Sequence, residues 1–250
     1  MLKSPTETPT ESKLGTVAFW AFMLVAVIAV GAGLMVDQQR VTSATDALSE
    51  PSAPPGTVAS APVQLPQVYF VGDSFAVGSE DDGGQQWPDI IAERRQWVQN
   101  LLAKGGAGYV AQAREDGLDH AQRITESGLP DADLIVLSGG YNDSDATLGE
   151  FEEAVSATVD EVRRLAPTAP VVVLSAFYTE GDELPADFRR MNEVLKEQAQ
   201  RIGAQYVDVS DLFLDRLDAV AEDGTHPTAE GQLLIAEAVL AQLGNLPDAR

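Results

Sequence analysis

The sequence predicts an α/β fold over residues 67–250, a parallel sheet covered by helices on both faces. Three observations lead there. Short apolar runs at 68–71, 97–98, 134–137, 171–174 and 206–209 are bounded by Gly, Pro, Asp or Asn, as strands buried on both faces are. Between them lie longer stretches with apolar residues at three- and four-residue steps. Alternation of the two patterns marks parallel strands joined by helical crossovers.

The segment ahead of this domain has a different character. Residues 1–13 read as a short polar tail, and no charged residue occurs from Leu14 to Val36. That span supplies the ~20 apolar residues that a helix needs to cross a bilayer. A cleaved signal peptide is the competing reading, but its apolar region is shorter, about 7–15 residues. No convincing small-x-small cleavage site follows, so an uncleaved anchor is expected over 14–36. Lys3 and Lys13 precede the span, while Arg40 follows it beside Asp37. This small excess of positive charge places the N-terminus in the cytoplasm and the bulk of the chain outside. Residues 37–66, with prolines at 51, 54, 55, 62 and 66, read as an extended linker.

Charge and composition exclude several classes. The 250-residue chain has no cysteine, so disulfides and thiolate chemistry are ruled out. Its net charge of −23 is the opposite of what a nucleic-acid binder carries. The acidic strings Glu80-Asp81-Asp82 and Glu180-Gly181-Asp182-Glu183 lack the alternating ligands of a calcium loop. Neither a metal nor an organic cofactor is expected.

Taken in order, the first strand runs straight into Gly72-Asp73-Ser74. By composition alone this is an ordinary turn. Placed after a buried strand and before a helix, it lifts a hydroxyl off the sheet. The second strand is followed by Asn100 and by Gly105-Gly106-Ala107-Gly108, the third by Ser138-Gly139-Gly140-Tyr141-Asn142-Asp143, and the fourth by Ser175-Ala176-Phe177-Tyr178. Helices are expected around Leu148 to Val162, Leu184 to Ile202 and Thr228 to Leu243. The last is preceded by Asp223-Gly224-Thr225-His226-Pro227. Ligands of such sheets bind beyond the carboxyl ends of the strands, where all of these segments gather.

Acyl transfer needs a nucleophile, a base, a group that orients the base, and donors for the oxyanion. Ser74 can be the nucleophile. Of the two histidines, His120 lies in a polar helical stretch, 117–127, and is expected to face solvent. His226 stands at a helix entrance three residues after Asp223, whose carboxylate can fold back through the glycine turn to hold the imidazole. An Asp-Gly turn followed by a helix cap is the alternative reading. The Ser74 amide, a glycine amide from the 105–108 cluster and the Asn142 side chain can serve as oxyanion donors. Phe75, Tyr141, Phe177 and Tyr178 lie near the rim of this site or in the core, and Trp87 is expected in the core.

With these residues in place, the chain resembles the SGNH hydrolase family, the GDSL esterases and lipases. The resemblance rests on Gly72-Asp73-Ser74, Gly105-Gly106, Gly140-Tyr141-Asn142-Asp143 and Asp223-Gly224-Thr225-His226-Pro227, in that order across most of 67–250. It implies a three-layer α/β/α sandwich with a five-stranded parallel sheet. It also implies a triad of Ser74, Asp223 and His226, and an oxyanion hole of Ser74, Gly106 and Asn142, with Gly105 as the alternative glycine. The expected activity is extracytoplasmic hydrolysis of esters with short acyl groups, through an acyl-enzyme, on a small ester or an acylated cell-envelope glycan. An O-acyltransferase to a glycan hydroxyl and an inactive envelope-binding module are the alternatives. No Gly-x-Ser-x-Gly elbow is present, which disfavours an α/β-hydrolase.

Overall fold

The computed structural model describes residues 64–78 and 84–244. The expected tail (1–13), the membrane span (14–36) and the linker up to residue 63 lie outside them, as does Glu80-Asp81-Asp82. Among the described residues no helix is long and apolar enough to cross a membrane.

The elements follow in the order β1 (Gln67–Gly72), α1 (Ser74–Val77), α2 (Trp87–Arg95), β2 (Val98–Ala103), α3 (His120–Ser127), β3 (Leu134–Leu137), α4 (Leu148–Leu165), β4 (Val171–Leu174), α5 (Ala186–Arg201), β5 (Gln205–Val207) and α6 (Ala229–Gln242). Two short 3-10 turns, Tyr141–Asp143 and Leu217–Ala219, complete the list. All strand pairs are parallel, and the five-stranded sheet has the order β2-β1-β3-β4-β5. Chain order reverses on either side of β1, which makes the β1/β3 boundary the place where a crevice opens.

The strands are buried on both faces because their side chains alternate between two cores. Val68, Phe70, Leu134, Val136, Val172 and Leu174 point to one face, where they meet Trp87 and Ile91 of α2 and Ile235, Ala236 and Val239 of α6. Tyr69, Val71, Ile135, Leu137, Val171 and Val173 point to the other, against Ile124 of α3, Val155 and Val159 of α4 and Leu195 of α5. Burying one such aliphatic side chain stabilises the fold by about 1.5–3 kcal/mol. Trp87 sits in the core as expected, its ring edge-on to Phe70 at 5.5 Å.

Two strands differ from the sequence reading. β2 begins one residue later than expected and runs on to Ala103, so Asn100 lies inside it rather than after it. β2 is an edge strand with Val98 and Leu101 exposed, and its mixed composition hides it from a search for unbroken apolar runs. β5, the other edge, ends at Val207, two residues early.

His120 also departs from expectation. It is fully buried rather than facing solvent. Asp119 caps α3 by accepting from the Gln122 amide at 2.8 Å, while the Gln122 side chain accepts from the Asp119 amide at 3.1 Å. This box fixes where the helix starts and leaves His120, its first residue, turned inward. The imidazole stands edge-on to Tyr109 at 5.0 Å, beside the backbone of Ser138. Burial pushes its pKa down from 6.5 to about 3.

The sign of the consequence follows from proton counting. Below 6.5 the unfolded chain protonates His120 while the folded chain stays neutral until about pH 3. Stability from this residue is therefore full above the unfolded value and is lost as pH falls. His120→Leu removes that loss. Between pH 7 and pH 5, urea denaturation should show the variant shifted relative to the native protein by about 2 kcal/mol in favour of acid. An unchanged difference would mean that His120 is not held neutral by burial.

Candidate active site

β1 delivers Ser74 through a turn that its neighbours leave no room to alter. A Cβ at Gly72 would stand 2.6 Å from Ser138 Oγ and 2.9 Å from Ala76 Cβ, so only glycine fits. Asp73 is the N-cap of α1, and its Oδ1 accepts from the Phe75 amide at 2.9 Å. Its carboxyl is buried, and desolvation raises its pKa to about 7. Ser74 is half-buried and is the first residue of α1, so its N–H has no acceptor within the helix. α1 is a single turn of four residues. The Ser74 amide therefore acts as a local donor more than as the end of a helix dipole.

The loop after β2 comes up beside this serine. The Ala107 amide donates to Lys104 O at 3.1 Å and closes a turn with Gly105 and Gly106 at its corners. Gly106 has φ +78°, the left-handed value that such a corner asks of glycine. A Cβ at Gly105 would lie 4.0 Å from Ser74 Cβ, whereas one at Gly106 would meet nothing within 4 Å. The side-chain position of Gly105 thus points toward Ser74 and that of Gly106 to open space. Neither glycine amide has an acceptor among the described residues.

Asp143 holds this loop in place. Its buried carboxylate accepts from the amides of Tyr109, Val110 and Ala111 at 2.9, 2.9 and 2.8 Å. A Cβ at Gly108 would stand 2.3 Å from Asp143 Oδ1, so that glycine is part of the cradle. Its neighbour Asn142 donates from Nδ2 to Ala107 O at 2.9 Å and lies 3.5 Å from Asp73 Oδ2. The side-chain amide is thereby fixed between the loop and the N-cap of the serine helix. From the sequence alone, Asp143 has no role of its own. The only signal for its role was the coincidence of Gly108 with two adjacent side chains, Asn142 and Asp143, that offer polar atoms.

On the far side of the crevice, Asp223 and His226 meet as expected. Asp223 Oδ2 lies 2.6 Å from His226 Nδ1, and Oδ1 accepts from the amides of Thr225 and His226, each at 2.9 Å. Gly224, at φ +74°, makes the turn. Three hydrogen bonds, that to the imidazole first, hold the Asp223 pKa down near 2. The carboxylate faces Nδ1, which leaves Nε2 of the imidazole for chemistry. No direct hydrogen bond joins His226 to Ser74. The rings of His226 and Phe75, the residue after Ser74, have centroids 6.2 Å apart.

A buried glutamine ties the two halves together. Gln232 of α6 accepts from the Trp87 amide at 3.0 Å and donates to Phe75 O at 3.3 Å. It joins the helix that follows His226 to the helix that opens with Ser74, and nothing in the sequence singled it out. Phe75 and Phe177 stack in the core at 5.2 Å, Tyr178 is buried beside Phe188, and Tyr141 is half-exposed above Phe75 at 5.4 Å. Among the described residues no cluster of His, Asp or Glu could hold a metal ion.

Residues 70–234 match the model of a family described as the GDSL-like lipase/acylhydrolase family. The chain is 28% identical over 188 residues to a GDSL lipase of Mycobacterium tuberculosis, covering 70% of this chain and 80% of that one. It is 29% identical over 105 residues to an acetylxylan esterase of Geobacillus stearothermophilus, covering 39% of this chain and 47% of that one. The crystal structure of the acetylxylan esterase Axe2 from the same organism superposes with a TM-score of 0.53 at 19% identity, over 72% of this chain and 94% of the other. At that identity the likeness speaks for the fold alone.

Removing the Asp143 carboxylate leaves three amides without their acceptor. Asp143→Ala should lower the unfolding free energy by about 3 kcal/mol, and Asp143→Asn, which keeps one acceptor oxygen, by less. Urea denaturation of the two variants checks this. Equal stability of Asp143→Ala and the native protein would remove Asp143 from the role given to it.

Proposed function

The chain belongs to the GDSL-like lipase/acylhydrolase family and is a serine esterase, and we propose that Ser74, His226 and Asp223 are its catalytic triad. The observation that carries this reading is the 2.6 Å contact between Asp223 and His226 Nδ1, which orients the imidazole with Nε2 outward. In this reading Ser74 Oγ attacks the ester carbonyl as His226 Nε2 takes its proton. Asp223 stays ionised and balances the imidazolium. The oxyanion is held by the Ser74 amide, the Asn142 side chain and a glycine amide of the 105–106 turn. The resemblance favours Gly106 as that glycine, with Gly105, whose added Cβ would approach Ser74, as the alternative. The tetrahedral intermediate collapses to the acyl-enzyme, and His226 returns the proton to the departing alcohol. Water then repeats the sequence, releasing the acid and restoring Ser74.

The substrate is proposed to be an ester of a short acid. An acetylated cell-envelope glycan fits this reading, supported by the relation to an acetylxylan esterase. The apolar span at 14–36 and the linker behind it support an extracytoplasmic domain tethered to the membrane.

Intact mass of the protein after exposure to a fluorophosphonate tests the nucleophile. A single adduct that is absent in Ser74→Ala is expected, with esterase kcat lowered by about 10⁴-fold or more. Asn142→Ala should keep the adduct and lower kcat by about 10²–10³-fold. An adduct that persists in Ser74→Ala would place the nucleophile elsewhere.

A further inference from the structure

Three loops from different parts of the chain meet at one phenol. Tyr141, at the end of the loop after β3, donates its hydroxyl to Glu180, which lies in the loop after β4. The same hydroxyl is 3.3 Å from Thr225 Oγ1, in the loop before α6. Tyr141 immediately precedes Asn142, the proposed oxyanion donor, and Thr225 immediately precedes His226, the proposed base. The cluster therefore spans the gap between those two groups.

That position has a chemical meaning. In ester cleavage the carbonyl oxygen turns toward the oxyanion donors, while the alcohol oxygen must lie where the base can protonate it. The alcohol therefore leaves on the His226 side, and Thr225, next to His226 in sequence, ties the Tyr141–Glu180 pair to that segment.

Glu180 is exposed and is left without a cation. Among the described residues no Lys or Arg pairs with it. Arg189 is turned to Glu183 and to Leu184 O, and Arg190 to Asp187. An ionised carboxylate can accept about four hydrogen bonds, and here only the phenol donates to it. Acceptors on Glu180 with hydroxyls on Tyr141 and Thr225 suit a ligand rich in hydroxyl groups. The same charge repels an anionic alcohol such as a phosphorylated one.

We propose that Glu180, Tyr141 and Thr225 form a subsite for the free hydroxyls of the alcohol half of the ester, and that this alcohol is an uncharged sugar. The proposal rests on the esterase reading above and says which side chains would hold the sugar. In it, Glu180 accepts a hydrogen bond from a hydroxyl neighbouring the acetylated one.

The test pairs two substrates with one variant. kcat/KM is measured for a methyl glycoside monoacetate whose neighbouring hydroxyl is free and for the congener in which that hydroxyl is O-methylated. The native protein should prefer the free hydroxyl by about 10-fold or more, and Glu180→Ala, which removes the acceptor, should bring the ratio to within about twofold of unity. A general loss of structure would lower both substrates together and leave the ratio unchanged, so the ratio isolates the contact. Turnover of 4-nitrophenyl acetate with no preference between the two glycosides, or a preference that survives Glu180→Ala, overturns the subsite alone. No turnover of 4-nitrophenyl acetate by the native protein overturns the esterase reading and the subsite with it.

Discussion

The buried carboxylate of Asp143 is the constraint on which the rest of the site depends. It sits at the end of the loop after β3 and takes three successive amides from the loop after β2. No other described contact holds those two loops together so completely. Charged and polar groups are costly to bury unless they are satisfied, so the loop that supplies the amides cannot drift without leaving the carboxylate exposed to that cost. Gly108 must remain glycine for the carboxylate to fit. Asn142 is placed by the same turn, with Ala107 O on one side and Asp73 on the other. The position of the Gly105-Gly106 turn beside Ser74 is thus a consequence of a group that does no chemistry itself.

A second opposition lies in the titration of the interior. Asp73 is held in the protonated direction by burial, and His120 in the neutral direction. For Asp73 the folded value of about 7 exceeds the unfolded one of 3.8, so its contribution is full below 3.8 and is lost as pH rises through 7. For His120 the order is reversed, and its contribution is lost as pH falls from 6.5 toward 3. Over the shared range the two effects oppose each other. A native protein carrying both is less sensitive to mild acid than either residue alone would make it.

Much of the fold was legible because three of the strands lie inside the sheet. β1, β3 and β4 are covered on both faces, so each reads as an unbroken apolar run with nothing else to confuse it. The edges obey a weaker rule. β2 exposes Val98 and Leu101 and carries Gln99 and Asn100, a pattern that periodicity alone does not distinguish from a loop. The Asp223–His226 pair was legible because both partners lie within three residues, so local geometry settles their contact. Asp143, Gln232 and the inward His120 were not legible, for a common reason. Each acts on a residue outside its own element (Asp143 on 109–111, Gln232 on Phe75 and Trp87, His120 on Tyr109), and only the closed fold decides which of many polar side chains turns inward.

The hydrogen bonds of Gln232 join the end of the domain to its beginning, and this has a bearing on how the protein is made. The proposed nucleophile belongs to the first strand, and the base lies just ahead of the last helix, with the rest of the domain between them. During synthesis the serine leaves the ribosome long before the histidine exists. A nascent chain therefore carries the proposed nucleophile before it carries the proposed base. Only docking of α6 against α1 and α2 brings the two ends together. In the proposed triad the base thus joins the nucleophile only with completion of the domain.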